Sequence, residues 1–175
     1  RKKQVINSAL CTILIGASLA TSQLCYAQAN QADKICLTYS PHLQNVQESS
    51  GAGFRAGGIY APCIMLKPEQ GLVGCQITEI NPCLTYAEKT TKRPGKVFIK
   101  DPVTRTSLYE QDCELQFGYN PIQLTIPYTV GTTEVLIGYE VEAQPGEYIL
   151  GVGPRTSRNE EGCWIIYQNK LQNCA

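Results

Sequence analysis

The chain has 175 residues, with 15 Lys+Arg against 15 Asp+Glu, a formal net charge of zero and nine cysteines. Without a basic excess it lacks the electrostatic footprint of a nucleic-acid-binding protein. With 43% hydrophobic and only 17% charged residues it also lacks the composition of a disordered one, and its length suits one domain behind a removable leader.

Residues 1–29 read as a secretory signal. Arg1, Lys2 and Lys3 make a charged start, and the apolar stretch "ALCTILIGASLA" (residues 9–20) has the length of a signal core, too short to span a bilayer. We expect it to be helical. "AQA" puts Ala27 and Ala29 at small-residue positions, so cleavage is expected after Ala29, with Ala27 as the alternative. Leu24 stands before Cys25 where a lipoprotein signal needs a small residue, which argues against lipidation. The reading predicts an exported protein, secreted, on the outer surface or periplasmic, with no membrane span once the leader is gone. Residues 30–175 keep 12 bases and all 15 acids, a net charge of −3. They also keep seven cysteines: Cys36, Cys63, Cys75, Cys83, Cys113, Cys163 and Cys174.

Residues 30–50 read as an extended polar lead-in, with "KICLTY" (residues 34–39) as a short strand. "GAGFRAGGIYAP" (residues 51–62) holds too many glycines for a helix and suits a bent strand with close backbone approach. In "GLVGCQITEINPCLTY" alternation places Cys75, Ile77 and Glu79 on one face and Gln76, Thr78 and Ile80 on the other. "KTTKRPGK" (residues 89–96) is a charged loop. "KVFIK" is a strand, and "DPVT" a turn with Pro102 at its second position. "TSLYEQDCELQF" sets Tyr109, Cys113, Leu115 and Phe117 against Glu110, Asp112, Glu114 and Gln116. "GYNP" breaks the pattern, with Gly118 and Asn120 suited to positive φ. "IQLTIPY" aligns Ile122, Leu124, Ile126 and Tyr128. "TEVLIGYEVE" turns Val135, Ile137, Tyr139 and Val141 inward and Glu134, Glu140 and Glu142 outward. Gly138 leaves room for a neighbouring ring, with Tyr139 and Trp164 as candidates. "YILGVG" and "CWIIYQ" are further strands. Short runs with regular turn signals predict an all-β antiparallel sandwich or barrel over residues 51–175, with no second domain.

The order of segments over residues 51–168 resembles the cleaved-adhesin or gingipain adhesin-type domains secreted by Gram-negative anaerobes. It is carried by "GKVFIKDPVTRTSLYEQ", "GYNPIQLTIPY", "LIGYEV" and "GVGP". The resemblance implies a jelly-roll sandwich of about eight strands and a non-catalytic adhesion or binding module that recognises a host protein or glycan. Alternatives are an accessory domain of a secreted hydrolase, or a Cys-rich protease inhibitor with Arg155 in "PRTSR" as bait. The resemblance also allows structural Ca²⁺, with Asp33, Glu48, Asp101 and Glu160 as loop acids; no other cofactor is expected. Seven cysteines exceed what such a module usually carries.

In an exported chain the default fate of cysteine is disulfide. Seven thiols leave one over, free or shared in a disulfide-linked dimer. Cys163 with Cys174, across a hairpin, and Cys75 with Cys83 are the favoured pairs. No C-x₂-C pair exists and His42 is the sole histidine, so neither a zinc site nor a Cys–His or Ser–His–Asp centre is expected. The carboxylates fall on outward strand faces, and "GAGFRAGG" lacks the lysine and the strand–helix context of a phosphate loop. No catalytic residue is assigned. The candidate ligand-binding residues are Tyr119, Tyr148, Trp164 and Arg155, with Tyr167 as a further ring. Trp164, beside "IIY", suits the core as well.

Overall fold

β-Branched runs of four to nine residues, each ended by Gly, Pro or a polar turn, leave no window in which a helix could bury a stripe. The computed structural model describes residues 11–16, 34–38, 50–85, 91–152, 162 and 164–174. In chain order the strands are β1 (Cys11–Gly16), β2 (Lys34–Thr38), β3 (Ser50–Ala52), β4 (Gly58–Leu66), β5 (Gln76–Leu84), β6 (Arg93–Lys100), β7 (Ser107–Leu115), β8 (Gly118–Tyr119), β9 (Ile122–Thr129), β10 (Val135–Ala143), β11 (Leu150–Val152), β12 (Trp164–Tyr167) and β13 (Lys170–Asn173). A single 3₁₀ turn, Pro68–Gln70, separates β4 from β5.

These strands form two antiparallel sheets. One follows the order β2-β1-β5-β11-β3, with β8 and β9 also paired to β5; the other runs β13-β12-β4-β10-β6-β7. The all-β sandwich is as the sequence predicts. Its thirteen described strands exceed the expected eight, because six of them are pieces of two to five residues. Part of the apolar stretch read as a leader core, expected as helix, is strand β1. It lies between β2 and β5, with Thr12 opposite both Thr38 and Asn81.

The core lies between the sheets. Tyr60, Ile64 and Leu66 of β4, Val97 and Ile99 of β6, Val135, Ile137, Tyr139 and Val141 of β10, and Ile77, Ile80 and Leu84 of β5 fill it. The inward set of β10 is the alternating set read from the sequence. That of β5 is not, because the ladder shifts at Thr78: Leu14 pairs with Glu79 and Ile15 with Ile77. This bulge inserts one residue and brings Ile77 and Ile80 to the same side, where strict alternation sets them apart. β9 departs further. Ile77 pairs with Tyr128 and Glu79 with Gln123, so residues 124–127 stand against Thr78 alone. Ile126, on that bulge, is 70% exposed, whereas Leu124 is buried as expected.

Side chains join the two sheets along one side. Gln111 of β7 donates to the Gln123 carbonyl of β9 at 3.0 Å, and its Oε1 accepts from the Thr125 N–H at 2.8 Å. At the C-terminal end of β5, Gly118 takes the positive φ expected of it, but Asn120 does not. Asn120 acts through its amide instead. Its Oδ1 accepts from Gln116 N–H at 2.9 Å, and its Nδ2 donates to the carbonyls of Gln116 and Gly118, both at 2.9 Å. The residue is buried, and its own N–H bonds the Pro82 carbonyl at 2.8 Å. Asn120→Ala therefore strands several backbone groups. It is expected to lower stability by about 2–3 kcal/mol, read as a lower urea midpoint at unchanged m.

Candidate functional site

The six-stranded sheet is apolar on both faces. Ala61, Cys63 and Met65 alternate with the inward residues of β4, and with Phe98 and Leu136 they form a second buried cluster on the outer face. Trp164, Ile166 and Leu171 of the β12–β13 hairpin pack against it. The unbroken apolar run of β4, "IYAPCIML", is the sequence signal for a strand buried on two sides.

At one margin of this face the surface opens into a cleft of about 420 Å³. Its floor is aliphatic: Ile59, Ala61 and Ile166. Ile59 is 61% exposed, an unusual state for a large aliphatic side chain beginning a central strand. One wall is the Lys100–Glu140 ion pair, at 2.6 Å. Lys100 also lies 4.6 Å from the Phe98 ring centroid and 3.8 Å from Glu110. The Ser107 hydroxyl and then the Lys96 ammonium, 3.1 Å away, hold the Glu110 carboxyl below the usual carboxylate range. The charges beside the cleft are thus balanced and tied to one another.

The opposite rim is the two-residue turn Gln168–Asn169, where φ is +48° and +60°. Two successive left-handed residues make the primed hairpin turn that matches strand twist, and Asn is among the residues that tolerate it. Both side chains are exposed and make no hydrogen bond within the described residues, so two amides are offered to the cleft. The far end is the Gly57–Gly58 bend, with φ of +68° and +113°. The Tyr167 hydroxyl donates to the Gly57 carbonyl at 2.8 Å and holds the bend in place.

Of the sequence-predicted residues that the structure describes, Tyr167 alone lines the cleft. Tyr119 lies in the other sheet, opposite Cys83 and half-buried, and burial pushes its hydroxyl well up. Tyr148 is 49% exposed just before β11. Trp164 borders the outer apolar cluster, and its Nε1 is buried without a hydrogen-bond partner among the described residues. Tyr167 is a core ring, stacked on Phe54 at 3.9 Å. Arg155 lies outside the described residues. Ile59, Gln168 and Asn169, which do line the cleft, were not singled out from the sequence. Only the "YQNK" turn, Asn between two strand-like runs, carried a local signal.

The cysteines are dispersed. Cys36 is in β2, and Cys163 is outside the described residues, so its pairing with Cys174 is too. Cys75 and Cys83 cannot bond as expected. Cys75 immediately precedes β5 and Cys83 is its penultimate residue, so most of an extended strand, roughly 20 Å or more, separates them, against the 4–7 Å between Cα atoms that a disulfide needs. Burial pushes the Cys83 thiol up to about 12 and Cys113 up to about 11, so neither is a thiolate at neutral pH. Asp101, a candidate Ca²⁺ ligand, caps its own turn: Oδ1 accepts from Val103 N–H at 2.9 Å and Thr104 N–H at 2.7 Å. Asp33, Glu48 and Glu160 lie outside the described residues, as does His42. Among the described residues no group of three His, Cys, Asp or Glu is placed to hold a metal.

Comparison of the chain with protein-family models, with curated proteins and with solved structures returned no match.

Proposed function

We propose that this is an exported, non-catalytic binding module and that it takes an extended segment of a partner protein into the cleft on the outer face of the six-stranded sheet. The observation that carries the reading is the pairing of an exposed aliphatic floor with two free rim amides. Ile59, Ala61 and Ile166 offer apolar contact to a side chain, while Gln168 and Asn169 can hydrogen-bond a peptide backbone. A pocket of apolar floor and few convergent polar groups is what small-ligand and peptide sites have in common. The floor presents no exposed ring face on which a sugar could stack, and this favours a peptide over a glycan. The adhesin-like order of sequence segments points the same way, to recognition without chemistry.

The test is binding of the purified protein to a peptide array and a glycan array in parallel. Signal on the peptide array is expected, reduced tenfold or more by Ile59→Asp. That substitution is at an exposed position and should leave the free energy of unfolding within about 0.5 kcal/mol of the parent. Binding confined to glycans, or peptide binding that Ile59→Asp leaves unchanged, refutes the assignment.

A further inference from the structure

Strand β1 belongs to the segment read as a leader, yet it holds a place within a sheet. Gln76, Ile77, Glu79 and Ile80 of β5 each have one partner in β1 and another in β9, so these two strands flank β5 on opposite edges. β1 is also the only described partner of β2. Cleavage after Ala29 would remove β1 and keep both its neighbours. Residues 76–81 of β5 would then present unpaired backbone N–H and C=O groups, the template on which another strand adds.

We infer that in the exported chain this edge is filled by β2 of a second copy, in a reciprocal strand-exchanged dimer. The inference rests on removal of the leader and is independent of what the cleft binds. Strand direction is the main argument. β2 is antiparallel to β1, and β1 is antiparallel to β5, so β2 runs parallel to β5 of its own chain. Sliding across to close the gap would put one parallel pair into a fold whose described strand pairs are all antiparallel. The β2 of another copy is under no such constraint and can enter antiparallel, as β1 does. Its sequence suits the place: "KICLT" alternates Ile35 and Leu37 as "CTILIG" alternates Ile13 and Ile15. Only residues 30–33 would precede it, so the exchanged element is a chain end, and exchange of identical elements is a low-cost route to a two-fold dimer.

The full chain is to be expressed with its leader in a secreting Gram-negative host. The recovered protein is then measured by mass spectrometry for its N-terminus and by light scattering for its mass. A chain beginning at Asn30 with twice the monomer mass is expected. Leu37→Pro, which cannot donate to a ladder at that position, should halve the mass while the β-sheet circular dichroism is retained. A synthetic peptide of residues 9–18 should likewise convert the parent dimer to a monomer–peptide complex, a readout that does not depend on the variant folding. A processed chain that is monomeric overturns the exchange and leaves export intact. A dimer that the peptide does not dissociate overturns it as well. Retention of residues 11–16 overturns the export reading, and the exchange with it.

Discussion

Tyr60→Ala is expected to lower the free energy of unfolding by about 4 kcal/mol, the upper part of the range for deleting a large buried side chain. Tyr60 has no exposed surface. Its ring meets Phe54 edge-on at 5.4 Å and Tyr167 at 5.7 Å, so truncation removes two aromatic contacts and leaves a void between sheets. The hydroxyl adds a local clamp: it accepts from Phe54 N–H at 2.8 Å and donates to Phe54 O at 2.7 Å. Tyr60→Phe keeps the ring and strands both Phe54 groups, and should cost about 1–3 kcal/mol. Urea denaturation of both variants separates the two contributions. A loss below about 1 kcal/mol for alanine would mean that the site collapses to fill the void and that the ring is not a keystone.

The same cluster connects the core to the cleft. Phe54 stacks on Tyr167, and Tyr167 holds the Gly57 carbonyl at the cleft's end. The shape of the outer-face opening is therefore set from inside the sandwich, through rings whose partners are over a hundred residues apart in the chain. No reading of "GAGFRAGG" alone could supply that connection. It could supply the local part: four glycines forbid a helix, and two of them, Gly57 and Gly58, do take positive φ.

Other elements divide in the same way between local and long-range causes. The inward face of β10 and the buried Leu115 of β7 were legible because unbroken alternation records which side faces the core. The faces of β5 and β9 were not, because a bulge leaves no mark in the residue pattern when Thr78 is as strand-compatible as its neighbours. The cleft was missed for a further reason. Rings and charges are what mark a site in a sequence, whereas this candidate site is an ordinary isoleucine left exposed beside an ordinary hairpin turn. Exposure is a property of register, and the register of Ile166 against Ala61 across β12 and β4 is fixed only in three dimensions. The aromatic residues chosen instead are split between the two sheets, Tyr119 on β8 of the seven-stranded one and Trp164 and Tyr167 on β12 of the six-stranded one.

Gly138→Ala should cost about 3 kcal/mol, and the reason differs from the one its sequence setting offers. A glycine within "LIGYEV" reads as space for a ring, but the atoms nearest to a side chain there belong to Pro62 and Cys63. A Cβ at Gly138 would meet the Pro62 carbonyl oxygen, with Cys63 Cβ at 2.7 Å and Cys63 Cα at 2.9 Å. These are mostly backbone atoms of β4, the strand paired to β10 through Gly138↔Cys63. No rotamer change relieves the clash. β4 must move away from β10 in the middle of the six-stranded sheet, and ladder bonds on either side stretch with it, placing the cost at the high end for overpacking. Gly131→Ala is the matched control. It has open space around it and needs no left-handed backbone, so the smaller unfolded-state entropy should leave it neutral or more stable by up to about 1 kcal/mol. Denaturation midpoints for the two variants should therefore move in opposite directions or by clearly different amounts. Equal midpoints would show that β4 and β10 can part without loss, and that the close approach at Gly138 is not what holds the two central strands in register.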